Sequence, residues 1–122
     1  MSDEPQLTNQ DLGRTLRIEE RKLIEALLSG CNQERALREM AAGCRVKNMQ
    51  DGGMGGIRFV TDKQQQLGTV LAEAEYFDED GVLVSIVINA DQAGALFELD
   101  FWRVDFGPLK KYPSPSDVSI KT

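Results

Sequence analysis

A chain of 122 residues that is 41% apolar and 28% charged is long enough to bury one core and too apolar to stay disordered as a whole. Its 20 acidic residues outnumber 14 basic ones for a formal net charge of −6, which repels phosphate backbones and argues against a nucleic-acid partner. The start, Met1 to Gln6, has neither the basic flank nor the apolar run of a secretion signal, and no stretch is apolar enough to span a bilayer, so a cytoplasmic protein with no membrane partner is expected.

Histidine is absent, and Cys31 and Cys44 are the only cysteines. That leaves too few ligands for a zinc site, and no metal or cofactor is expected. The two thiols read as reduced and partly buried, behaving as small apolar groups. Without an imidazole, neither Ser85 nor the cysteines have the usual base of a nucleophilic triad, so an enzyme is not expected.

Residues 1–14, polar and interrupted by Pro5 and Gly13, read as a flexible N-terminal arm. From Thr15 the pattern is helical: Ile24, Leu27, Leu28 and Cys31 follow i, i+3, i+4, i+7 spacing, and Glu19 and Glu20 sit early, where the helix dipole favours acids. Gly30 is the expected stop. Asn32 is placed to cap a second helix carrying Leu37, Met40, Ala41 and Cys44 and ending near Gly43. The apolar period then drops from about 3.6 residues to about 2, and strands are expected near 45–50, 56–61, 69–78, 82–90 and 95–105. Asp51-Gly52-Gly53, Glu79-Asp80-Gly81 and Asp91-Gln92-Ala93-Gly94 suit short turns, with Gly53 and Gly81 at positive φ, so consecutive strands are expected to pair. Pro113 and Pro115 cannot continue a ladder, and 113–122 reads as a flexible C-terminal tail. The expected fold is one α+β domain over 15–112, an N-terminal helical hairpin packed on a five-stranded antiparallel meander sheet.

Requiring apolar positions to share a face sends Val70, Ala72, Ala74 and Tyr76, then Val82, Val84, Ile86 and Ile88, then Phe97, Leu99 and Phe101 to the core. On the other face the turn lengths set three rows: Glu75 with Ser85 and Asp100, Glu73 with Val87 and Glu98, and Phe77 with Leu83 and Trp102. Four acids and one tryptophan therefore share an exposed surface. Such a flat face gives no cleft to raise a carboxyl's pKa for glycoside hydrolysis. It can serve as a binding hot spot, or Trp102 can simply cover Phe77 and Leu83 beneath the tail.

The glycine run Asp51-Gly52-Gly53-Met54-Gly55-Gly56 lacks the Gly-Lys-Ser/Thr of a phosphate loop, and a strand-like Ile57-Arg58-Phe59-Val60 follows it. It reads as a tight hairpin or bulge, with a backbone-amide nest for an anion or a partner's carboxylate as the functional alternative. Asp78 to Gly81 and Asn89 to Gly94 have the oxygen content of calcium loops without their spacing, which leaves turn chemistry.

Asp51-Gly52-Gly53-Met54-Gly55, Asp78-Glu79-Asp80-Gly81-Val82-Leu83-Val84 and the stretch Glu98 to Leu109 together resemble a family of small bacterial proteins of unknown function over about residues 15–112. The resemblance implies a bacterial, cytoplasmic protein and carries no assigned activity. In general character such small acidic α+β domains are similar to immunity proteins that neutralise bacterial toxins. The expected function is a non-catalytic protein-binding module of immunity or inhibitor type. Its acidic sheet face, Glu73, Glu75, Glu98 and Asp100 with Trp102, would dock a protein with a basic surface. The alternative is a small-ligand-binding domain using the glycine loop, Asp51, Gly52, Gly53, Met54 and Gly55.

Overall fold

A computed structural model describes residues 13–61 and 63–121. Residues 1–12 of the expected arm, and Thr122, lie outside the described residues. The chain opens with a two-residue strand, β1 (Arg14–Thr15), followed by helices α1 (Ile18–Gly30) and α2 (Glu34–Ala42). No helix among the described residues is long and apolar enough to cross a membrane.

The helix boundaries follow local chemistry. At the start of α1 the Arg17 backbone N–H donates to Glu20 at 2.8 Å, while the Arg14 guanidinium grips both oxygens of that carboxylate at 2.7 and 2.8 Å. Burial pushes the Glu20 carboxyl up, but these hydrogen bonds outweigh it and hold the pKa below the ordinary range. Asn32, expected as the cap of α2, instead takes the left-handed turn between the helices with φ 56°, and Gln33 stands at the N-cap. Gly43 ends α2 with φ 94°, where its N–H returns to the Met40 carbonyl.

The sheet has seven strands, not five. To β1 it adds β2 (Arg45–Asn48), β3 (Ile57–Phe59), β4 (Leu67–Phe77), β5 (Leu83–Asp91), β6 (Leu96–Arg103) and β7 (Ser119–Lys121). Every pair is antiparallel, in the order β1-β2-β3-β6-β5-β4-β7. The α+β class is as expected; the simple meander is not. β3 pairs with β6 rather than β4, and Gln65 and Gln66, just before β4, run over the β5–β6 hairpin. Gln65 Nε2 donates there to the Asp91 carboxylate and the Leu96 carbonyl, and the Gln92 N–H to the Gln66 carbonyl. The end of the chain, expected as a tail, forms a short 3-10 turn at Pro115–Asp117 and then β7 along the edge of β4.

Helices and sheet share one core. Leu23, Ile24, Leu27 and Leu28 of α1 and Met40 of α2 cluster with Ala72, Ala74, Tyr76, Val84, Ile86, Ile88, Leu99 and Phe101. Each fully buried aliphatic side chain contributes about 1.5–3 kcal/mol, so Leu27→Ala costs about 2–5 kcal/mol once the cavity is included. Two inward assignments are altered by bulges. The irregularity at Val70 turns that side chain out to 49% exposure and leaves Leu71 packed on the core. The bulge opposite Asn89 and Ala90 displaces Phe97 from the main cluster; it is buried beneath the Arg58 guanidinium, 5.1 Å from its ring centre.

Candidate functional site

The face away from the helices carries Glu73, Glu75, Glu98, Asp100 and Trp102, with their cross-strand rows partly redrawn. The β4–β5 pairs are as expected: Glu75 with Ser85, Glu73 with Val87, Phe77 with Leu83. On β6 everything moves by two residues. Trp102 lies beside Ser85, Asp100 beside Val87 and Glu98 beside Asn89. The cause is a longer connection than the expected four-residue turn. The Asp91 carboxylate accepts the N–H groups of Ala93 and Ala95 at 2.9 and 2.8 Å, and the bulge adds one more residue. A slip of two keeps each side chain on its face.

At one end of this face the polar groups satisfy one another. Arg58 pairs with buried Glu98, Asn89 Nδ2 donates to Asp100 at 2.7 Å, and Lys121 lies 3.5 Å from Glu75. Asp100 titrates at about 6, raised first by burial and then by the Glu98 charge.

The other end is apolar and open. Phe77, Trp102, Val104 and Phe106 are 71, 52, 48 and 64% exposed. Register makes them neighbours: Phe77 faces Leu83, whose carbonyl accepts the Val104 N–H at 3.0 Å. The Phe106 ring meets Trp102 edge-on at 4.9 Å. The tail does not cover Trp102. Exposed aromatic clusters of this kind are uncommon on monomers and mark contact surfaces.

Behind this patch lies a group that sequence reasoning passed over. Arg103 is 3% exposed and binds three carboxylates: Asp78 through Nη1 at 2.7 Å, Asp80 through Nη1 and Nη2, and Asp105 through Nε at 2.7 Å and Nη2 at 3.0 Å. Hydrogen bonding to Arg103 holds the Asp80 carboxyl down at about 2. Asp78 also accepts the N–H groups of Glu79, Lys110 and Lys111. Asp105 accepts the Gly107 N–H at 2.9 Å, which fixes the turn holding Phe106 at φ 64°. A left-handed conformation costs a phenylalanine roughly 1–2 kcal/mol, so the clasp presents the ring against a backbone preference. The signal was available: Arg103 has the inward parity of Leu99 and Phe101, and an inward arginine needs acids nearby.

The glycine loop joins the same unit. Gly52, Gly53 and Gly55 have positive φ. The Gly53 carbonyl accepts the Leu109 N–H at 3.0 Å, Cβ atoms at Gly53 and Gly55 would come within 3.0 Å of Pro108 and Leu109, and Met54 sulfur lies 3.5 Å from the Arg103 N–H. The amide nest has an internal occupant: the Asp51 carboxylate accepts the N–H groups of Met54 at 3.1 Å and Gly56 at 2.8 Å. The three segments that carry the family resemblance therefore converge in space, around Arg103.

No curated protein and no solved structure matches the chain. The model of one family, described as a domain of unknown function (DUF6984), matches residues 13–113.

Proposed function

We propose that this chain, which belongs to that family of domains of unknown function, is a cytoplasmic protein-binding module that performs no chemistry of its own and docks its partner on the outer sheet face. The observation that carries the reading is the contiguous exposed patch of Phe77, Trp102, Val104 and Phe106, with Phe106 held in a costly backbone conformation by the Arg103 clasp. Rigid aromatics lose little entropy on binding and dominate interface energetics.

The surrounding charge supports a basic partner. Glu73, Glu75 and Asp100 on the strands, with Asp80 and Asp105 beside the turn, rim the patch, and the net charge is −6. A protein with a basic surface around an apolar hollow is the complement, in the manner of an inhibitor or immunity protein. Lys and Arg around such a hollow would speed association at low salt. The test is affinity capture from the native host with three baits: the natural chain, Trp102→Ala, and Glu25→Lys on α1. A protein held by the first and third baits and lost from the second supports the reading. The same set of proteins on all three contradicts it.

A further inference from the structure

The outer face is electrically lopsided about its middle. In the order β1-β2-β3-β6-β5-β4-β7, the central strand is β6. On one side of it exposed Lys47 of β2 stands directly across from exposed Arg58 of β3, and Arg58 in turn pairs with Glu98. On the other side β4 presents Glu73 and Glu75, with Lys121 of β7 beside both. Like charges this close on one face repel. One half therefore keeps an excess of positive charge and the other an excess of negative, while the aromatic end belongs to the same surface, with Trp102 on β6.

A face divided in this way complements itself. A two-fold axis lying in the contact plane and running along β6 sets β2 of one copy over β4 of the other, and β3 over β5. Lys47 shares a cross-strand row with Arg58, Glu98 and Asn89, and Glu73 shares the next row with Val87 and Asp100. Facing sheets lie about 10 Å apart and rows about 7 Å apart along a strand, a gap that a lysine and a glutamate span together. The same axis brings Trp102 against its own equivalent and takes its exposed ring out of water. Asp100 also nears its equivalent, a like-charge contact that opposes pairing, whereas Glu98 beside it is matched by Arg58. The net charge of −6 repels copies at long range, so pairing needs a face that carries its own bases, and this one does. We propose that the partner seated on the outer face is a second copy of the chain, related by a two-fold axis along β6. This rests on the reading of that face as a docking surface and names its occupant: the basic surface asked of a partner is already present on the chain.

Sedimentation equilibrium of the full chain tests this, with circular dichroism to check that each variant is folded. The natural chain is expected to pass from monomer to dimer as its concentration rises. Lys47→Glu and Glu73→Lys should each weaken the dimer about tenfold, because each sets like charges across the contact twice. Both changes in one chain should restore it to within about threefold of the natural value. Trp102→Ala should weaken it about tenfold or more. Asp100→Asn should tighten it, the reverse of what an acid that attracts a basic partner would show. A natural chain that stays monomeric, a dimer unmoved by Trp102→Ala, a double variant no tighter than either single one, or a weaker Asp100→Asn dimer would overturn the proposal. A monomeric chain that still captures another protein through Trp102 would overturn the second copy alone and leave the docking face standing.

Discussion

The two ends of the outer sheet face share strands β4, β5 and β6, with Arg58 of β3 added at the acidic end, yet they leave opposite groups unsatisfied. At the acidic end Arg58, Glu98, Asn89 and Asp100 are engaged with one another, so a partner arriving there must replace contacts that already exist. At the aromatic end the acids are engaged on Arg103, and the exposed side chains left without a polar partner are Phe77, Trp102, Val104 and Phe106. Covering apolar area releases water without breaking a polar pair. Formal charge draws the eye to the acids, whereas the free energy available to a partner lies with the aromatics.

The largest effect should come from removing what holds the aromatic end. Arg103→Met leaves the Asp78 carboxylate buried without its cation and should lower the urea midpoint far more than any surface substitution; an unchanged midpoint would show that the clasp carries no stability. Trp102→Ala comes next, on a different quantity. It should weaken partner binding by about 2 kcal/mol or more, roughly thirtyfold, while changing stability by no more than about 0.5 kcal/mol. Titration calorimetry paired with urea unfolding separates the two.

Smaller effects distinguish the ends by pH. Asp78, Asp80 and Asp105 have pKa values lowered in the folded state, Asp80 to about 2 from an ordinary 3.8. Their stabilisation is complete above the unfolded value and is lost as pH falls from about 4 towards about 2. Asp100 has the opposite sign. Its folded value of about 6 exceeds the unfolded one, so the folded state keeps a proton that the unfolded state releases, and stability falls as pH rises from about 4 to about 6. Asp100→Asn should therefore gain on the order of 1 kcal/mol at pH 7 and little at pH 4, less than the full shift implies because solvent screens a partly exposed carboxylate. Urea midpoints at the two pH values measure it, and an equal gain at both would remove the explanation. Gly81→Ala is of similar size. Gly81 has φ 83° and a Cβ there would meet nothing within 4 Å, so the loss of about 1 kcal/mol is purely conformational, and thermal unfolding of Gly81→Ala beside the natural chain reads it.

Both helices, strands β2 to β6 and the inward or outward sense of most side chains were legible in the sequence, since each rests on a local period. Gly53 and Gly81 do take positive φ, at 84° and 83°. What was not legible depends on pairing between distant segments. Nothing local says that Ile57 will lie beside Leu99, or that a bulge will move Trp102 from the Leu83 row to Ser85. β1 and β7, of two and three residues, lie next to stretches that Gly13, Pro113 and Pro115 mark as irregular, and they exist because β2 and β4 offer an edge. At the candidate site the five outward residues were found by parity, while Phe106 escaped because its exposure comes from the Arg103–Asp105 turn rather than from strand alternation.

The central claim, that a partner seats on the aromatic end, is tested most directly by placing a photoreactive benzoyl-phenylalanine at Phe106 in the native host, with the same residue at Glu25 on α1 as control. The expected result is one protein adduct formed on irradiation from position 106, absent from position 25, and suppressed by Trp102→Ala in the same chain. No adduct from position 106, or the same adduct from both positions, would contradict it.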